Sequence, residues 1–189
     1  MSFWLGVDVG APRKGFDAAL VDAQGVVGLK RGLDVAAVTR LVEARAPAVV
    51  GIDSPGSPAP DGETSRAGER AVARAVCGIR WTPDAAALTA NPHYYGWVLE
   101  GLRLHEALTE ADTTVIEVFP TASWTRWHGP RGRQPRADWS REALGGLGLE
   151  GVPARTSQDQ RDAIGAAVTA RAFAAGRTES FGGIVVPAV

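Results

Sequence analysis

The sequence predicts an α/β domain of three layers, with a mixed five-stranded sheet and helices on both of its faces. Three observations predict it. Short apolar runs separated by turn residues open the chain as a meander, and apolar runs then alternate with stretches of helical period. The run Ala48 to Ile52 is too continuously apolar to keep a solvated face, as expected of a strand covered on both sides.

Phe3 to Val9 reads as a buried strand closed by the loop residues Gly10, Ala11 and Pro12. Phe16 to Val21 and Val26 to Leu29 follow, and Asp22-Ala23-Gln24-Gly25 between them is a hairpin-type turn. Asp34 is placed to cap a helix whose Val35, Val38, Leu41 and Val42 recur at helical spacing until Pro47 stops it. After the strand at Ala48 to Ile52, the Pro-, Gly- and Ser-rich stretch Ser54 to Asp61 is a loop. Ser65 to Val76 and Tyr95 to Leu108 read as helices, Thr113 to Phe119 as the last strand, and Thr121 to Ser140 as a polar surface insertion. A final helix runs from Ser157 to about Ala175, opened by Ser157 and Gln160 in capping-box spacing. This order of elements is the one used by the ribonuclease H fold. The expectation is one such domain over 1–189, with insertions around 54–112 and 120–156.

Lys+Arg number 20 and Asp+Glu 21, a formal charge of −1, so no overall basic field draws the chain to nucleic acid or to a membrane surface. The single cysteine, Cys77, excludes an internal disulfide and a thiolate zinc cluster. The first residues lack a basic segment and reach Asp8 too early for a signal peptide, and no apolar run approaches the roughly 20 residues that span a bilayer. A cytoplasmic protein is expected.

Four carboxylates stand out by position. Asp8 interrupts the first strand, Asp53 terminates another, Glu117 lies inside Val115-Ile116-Glu117-Val118-Phe119, and Asp162 sits in the first turns of the last helix. A carboxylate withdrawn into a strand is costly unless it is paired, hydrogen-bonded or bound to a cation. Neighbouring strands bring their carboxyl ends to one crevice, so the four acids are expected to converge there. Converged carboxylates suit a hard cation, Mg²⁺ or Mn²⁺, whereas His93, His105 and His128 lack paired-ligand spacing for zinc. Two such ions about 3.5–4 Å apart would activate a water against a phosphodiester. Other readings stand beside this one: Asp8 as a strand-end acceptor, Asp53 as a turn former, Glu117 on an edge strand, and Asp159 and Asp162 as acids favoured by the helix dipole. Of that last pair, Asp162 lies nearer the apolar stripe and is the expected ligand, with Asp159 an auxiliary or a cap.

Gly6-Val7-Asp8, Gly51-Ile52-Asp53-Ser54-Pro55, Arg66 with Glu69, Glu117-Val118-Phe119-Pro120, Asp162-Ala163 followed by Ala166-Ala167, and Gly183-Ile184-Val185-Val186-Pro187 run in order along the chain. Together they resemble an uncharacterised family of predicted nucleases with a ribonuclease H-like fold. The resemblance implies that Asp8 matches the first-strand aspartate of such nucleases, Asp53 the fourth-strand aspartate, Asp162 the last-helix acid and Glu117 the family's own Glu-Val-aromatic-Pro motif. The chain departs from the pattern in two places. Arg66-Ala67-Gly68-Glu69 stands where the family has an Arg-x-Cys-Asp-like element, and the helical acids are spaced Asp159-Gln160-Arg161-Asp162.

A nuclease must also hold phosphates. Lys14 follows the Asp8 strand, and Arg66, Arg70 and Arg74 repeat every fourth residue, either as phosphate ligands or as a solvated stripe paired with Glu63 and Glu69. Trp124, Trp127 and Trp139 lie among Arg126, Arg131, Arg133, Arg136 and Arg141. Trp127 and Arg131 would stack on bases and fork onto phosphates, or the indoles would pin the insertion to the core. The sequence therefore points to a divalent-metal-dependent nuclease hydrolysing DNA or RNA with a metal-activated water. Asp8 would bridge the metals, with Asp53, Glu117 and Asp162 completing their coordination. The rival readings are a catalytically silent nucleic-acid or protein binding module on the same fold, and an actin-like ATP-dependent phosphotransferase suggested by Asp8-Val9-Gly10. The second lacks the usual Ser or Thr in that loop and a second phosphate element.

Overall fold

A computed structural model describes residues 2–111 and 113–188. Strands β1 (Trp4–Asp8), β2 (Phe16–Val21) and β3 (Val26–Leu33) form the expected antiparallel meander, and helix α1 (Val35–Arg45) follows. Asp34 caps α1 by accepting from the Ala37 N–H at 2.7 Å, as its position foretold. Next come β4 (Val49–Asp53), α2 (Ala67–Ala75), α3 (Ala85–Ala90), α4 (Pro92–Glu110) and β5 (Val115–Val118). The chain closes with α5 (Pro120–His128), α6 (Arg136–Gly146), α7 (Gln158–Ala174), β6 (Thr178–Phe181) and β7 (Ile184–Pro187).

The sheet runs in the order β3-β2-β1-β4-β5-β7-β6 and is mixed, with β1, β4, β5 and β7 parallel to one another. It has seven strands where the sequence predicts five. The C-terminal hairpin adds the other two, because Ile184-Val185-Val186-Pro187 buries all four residues beside β5 and carries β6 as its antiparallel neighbour. Four-residue runs are too short to distinguish strand from loop by period alone. No helix among the described residues is long and apolar enough to cross a membrane.

Leu5, Val7, Val50 and Ile52 pack with Val38 and Val42 of α1 and Leu104 and Leu108 of α4. The other face is covered by α7, flanked by α5 and α6. Helix α7 lies directly on β1 and β4. A Cβ on Gly6 would stand 2.1 Å from the Ala163 carbonyl oxygen, and one on Gly51 would stand 2.6 Å from that of Ala166. Side chains two apart share a strand face, so these glycines admit the helix while Asp8 and Asp53, two residues on, point toward it. The capping box is also present. The Ser157 hydroxyl accepts from the Gln160 N–H at 3.1 Å and the Gln160 side chain accepts from the Ser157 N–H at 2.9 Å.

The stretch read as a polar surface insertion is two helices packed against α7. Trp124 and Trp139 are fully buried there. Pro120 and Pro135, which suggest breaks, stand at the starts of α5 and α6, where the missing N–H has no partner to lose.

Candidate metal centre at the carboxyl edge of the sheet

The parallel register sets Asp8 of β1 beside Asp53 of β4. Helix α7, docked through the two glycines, brings Asp162 to the same point. One ligand oxygen from each carboxylate lies within 4.8 Å of the others. Mg²⁺ binds oxygens at about 2.0–2.1 Å, so trans ligands on one ion stand about 4.2 Å apart. The triad therefore fits one cation after a small side-chain adjustment, or two cations sharing ligands. The donor set is all carboxylate, which suits Mg²⁺ or Mn²⁺ over zinc.

Asp162 is held by three donors. The Trp124 indole donates to Oδ1 at 3.1 Å, Arg136 to Oδ2 at 2.9 Å, and the Gln158 amide to both oxygens at 3.0 Å. Lys14, on the loop after β1, pairs with Asp159 at 2.7 Å. A cleft of about 960 Å³ opens over the triad, and Lys14, Arg131, Arg136, Gln158 and Asp159 contribute to its walls.

Glu117 does not join the aspartates. Its β5 position pairs with Ile52 and not with Asp53, so the pleat turns it to the face carrying α1 and α4. There Arg66 grips it with two bonds of 2.7 and 2.5 Å, and the Gly56 N–H donates to it at 2.8 Å. The same Arg66 donates through Nε to Glu69, which is wholly buried and also accepts from the Arg66 and Thr82 N–H groups. This network ties β5 to the segment leaving Asp53, so Glu117 braces the site without touching the cation position.

The phosphate-binding expectations divide in the same way. Lys14 and Arg131 line the cleft. Arg66 is buried in the network just described. Arg70 is engaged by Glu63 at 3.0 Å and by the Ser65 carbonyl at 2.6 Å, the paired reading of that stripe. Trp127 packs edge-on against Trp124 at 5.4 Å and belongs to the core cluster under α7. These three lie outside the cleft walls. Two residues at the aspartates escape the sequence reading. Gln158 is one helical turn before Asp162, a spacing that puts them on one face. Arg136 arrives from a different helix, and no local pattern announces it.

Burial, followed by the negative charges of Asp162 and Asp159, pushes the Asp8 carboxyl up from 3.8 to about 7, with Lys14 opposing. Burial and then Asp8 and Asp162 raise Asp53 well above its ordinary value, with Arg136 opposing. Burial also raises Asp162, against Arg136, Gln158 and Trp124. In the metal-free protein the folded state thus holds protons that the unfolded chain has released. Stability is present in acid and is lost as pH rises from about 4 to about 7. Thermal melts in EDTA should show a higher Tm at about pH 5 than at about pH 8, and Mg²⁺ or Mn²⁺ should raise Tm chiefly at the higher pH, where the ligands are ionised. A metal effect independent of pH would contradict this.

No family model matches the chain, and no curated protein does. Among solved structures, the chain is similar to a Thermus thermophilus RuvC at a TM-score of 0.52 and 15% identity, covering 91% of this chain and 94% of that one. It is also similar to T. thermophilus RuvC in complex with a Holliday junction substrate, at a TM-score of 0.54 and 14% identity, covering 92% and 95%. The likeness at this identity concerns the fold, which is α/β and ribonuclease H-like.

Proposed function

We propose that the protein is a divalent-metal-dependent nuclease that hydrolyses phosphodiester bonds of DNA or RNA. The observation that carries the proposal is the convergence of Asp8, Asp53 and Asp162, with ligand oxygens within 4.8 Å, at the carboxyl edge of a ribonuclease H-like sheet. Its likeness to a RuvC in complex with Holliday junction supports nucleic acid as the substrate class. The motif resemblance to predicted nucleases points the same way.

The three aspartates would hold Mg²⁺ or Mn²⁺. When bound, the metal would supply water activation and stabilisation of charge on the departing oxygen. The protein's own part is to assemble three mutually repelling carboxylates at the floor of the cleft. Gln158, Trp124 and Arg136 orient Asp162 and favour its ionised form. Lys14 and Arg131 flank the cleft and would neutralise the phosphates on either side of the scissile bond. The network of Arg66, Glu69 and Glu117 keeps the segment after Asp53 in place.

Labelled single-stranded, duplex, hybrid and branched substrates, incubated with the protein in Mg²⁺ or Mn²⁺, test the reading. Cleavage that requires metal and disappears with Asp53→Asn is expected. Cleavage in EDTA, or equal cleavage by the variant, would overturn it, and uncut substrates across the panel would favour the binding module.

A further inference from the structure

We propose that the cleft over the aspartates receives nucleic acid as an unpaired strand, with a base stacked on Trp97 and the adjoining phosphates on Arg80 and Arg131. The inference rests on the nuclease reading for the identity of the polymer and goes beyond it in naming the strand's state.

The walls of the cleft carry it. Helix α4 approaches the sheet edge beside the loop after β1, where a Cβ on Gly96 would stand 3.3 Å from Pro12. The following residue, Trp97, lines the cleft together with the 76–80 segment that ends in Arg80. Arg131, between α5 and α6, lines it as well, and both arginines are exposed. The floor is Asp8, Asp53 and Asp162. A walled hollow of about 960 Å³ has the dimensions of a small-molecule site. A duplex presents phosphates at its surface and keeps its bases stacked inside, so it offers such a hollow no ring face. An unpaired nucleotide offers both a ring and a phosphate.

The tryptophans of this region are not equivalent. The Trp124 indole N–H donates to Asp162 and that of Trp139 to the Gly129 carbonyl, so both rings are committed to the framework. The Trp97 N–H is buried and has no acceptor among the described residues. Trp97 is also only partly buried, so its ring is available where those of Trp124 and Trp139 are not. An aromatic face sharing a cleft with guanidiniums that have no side-chain partner among the described residues is the combination that binds single strands without regard to sequence.

The test is fluorescence anisotropy with end-labelled oligonucleotides of about twelve residues, a DNA and an RNA single strand against the blunt DNA duplex of the same sequence, in Ca²⁺ so that binding is read apart from turnover. The single strands should bind at least about tenfold more tightly than the duplex. Trp97→Ala should remove at least about fivefold of single-strand affinity, Trp97→Phe should retain most of it, and duplex binding should not change. Should Trp97→Ala fail to fold, Arg80→Ala decides, and it must weaken single-strand binding more than duplex binding. Equal affinity for single strand and duplex, or single-strand binding indifferent to both Trp97→Ala and Arg80→Ala, would overturn the proposal. A failure of the nuclease reading has a different signature, namely uncut substrates in Mg²⁺ and Mn²⁺ with the single-strand preference intact.

Discussion

Asp8→Asn is expected to raise the thermal stability of the metal-free protein while abolishing metal-dependent cleavage. Wild-type Asp8 shares a space within 4.8 Å with Asp53 and Asp162, and burial, followed by the charges of Asp162 and Asp159, lifts its carboxyl to about 7. Above that pH the fold carries an ionised group that the unfolded chain would leave in water. Asparagine keeps the shape, drops the charge and relieves the repulsion on Asp53. Melts in EDTA at about pH 8 should place the variant above the wild type, with the gap narrowing as pH falls below about 7 and closing near about pH 4, where Asp8 is protonated in the folded and the unfolded chain alike. The Tm increase on adding Mn²⁺ should disappear, and cleavage should fall by more than about a hundredfold, beyond the loss usual for an outer-shell partner of a metal. Such opposition between stability and activity is the signature of a site whose charges serve a ligand. A variant less stable than wild type in EDTA at the higher pH would mean that the ionised Asp8 serves the fold.

Glu117→Ala should do the reverse, damaging the fold and sparing the metal. The Glu117 and Arg66 side chains are 11% and 10% exposed, and the guanidinium spends two donors on this one carboxylate. Removing one partner of a buried pair leaves the other charge without compensation and costs about 3–5 kcal/mol. For a chain of this length that is a fall in Tm of about 6–20 °C. Glu117→Gln should lie between, because the amide oxygen still accepts from Arg66 and from Gly56. Mn²⁺ affinity measured by calorimetry should stay within about threefold of wild type in both folded variants, whereas Asp53→Asn should lose it. Lost Mn²⁺ binding in Glu117→Ala at an unchanged Tm would restore a centre of four carboxylates.

The contrast between Asp8 and Glu117 shows how far the candidate site is legible in the sequence. Gly6-Val7-Asp8 and Gly51-Ile52-Asp53 each carry a glycine two residues before an aspartate, and a strand puts such a pair on one face, where helix α7 docks and the acid reaches past it. Asp162 is equally legible, since a capping box sets the start of α7 and helical spacing then turns the acid toward the sheet. Glu117 misleads because both faces of a covered strand are apolar, so Val115-Ile116-Glu117-Val118 does not reveal which face its acid takes. Trp124 and Trp139 take the core-pinning alternative, but their window misleads as a surface insertion for a related reason. Their window is polar on average, and the average conceals two indoles that fill the space between α5, α6 and α7.

By itself, the sequence determined the order of the five strands β1 to β5 with helices α1, α2, α4 and α7, the caps of α1 and α7, and the elements that carry the acids. Each of these depends on residues within a turn or two of one another, where spacing and hydrogen-bonding chemistry act directly. Only the tertiary structure decided that Glu117 faces Arg66, that Arg136 from another helix meets Asp162, that the C-terminal hairpin extends the sheet, and that Trp97 walls the cleft. Those outcomes follow from strand register and helix docking. Long-range packing selects both, and a one-residue shift of β5 against β4 would bring Glu117 to the face of Asp53 without altering any local pattern.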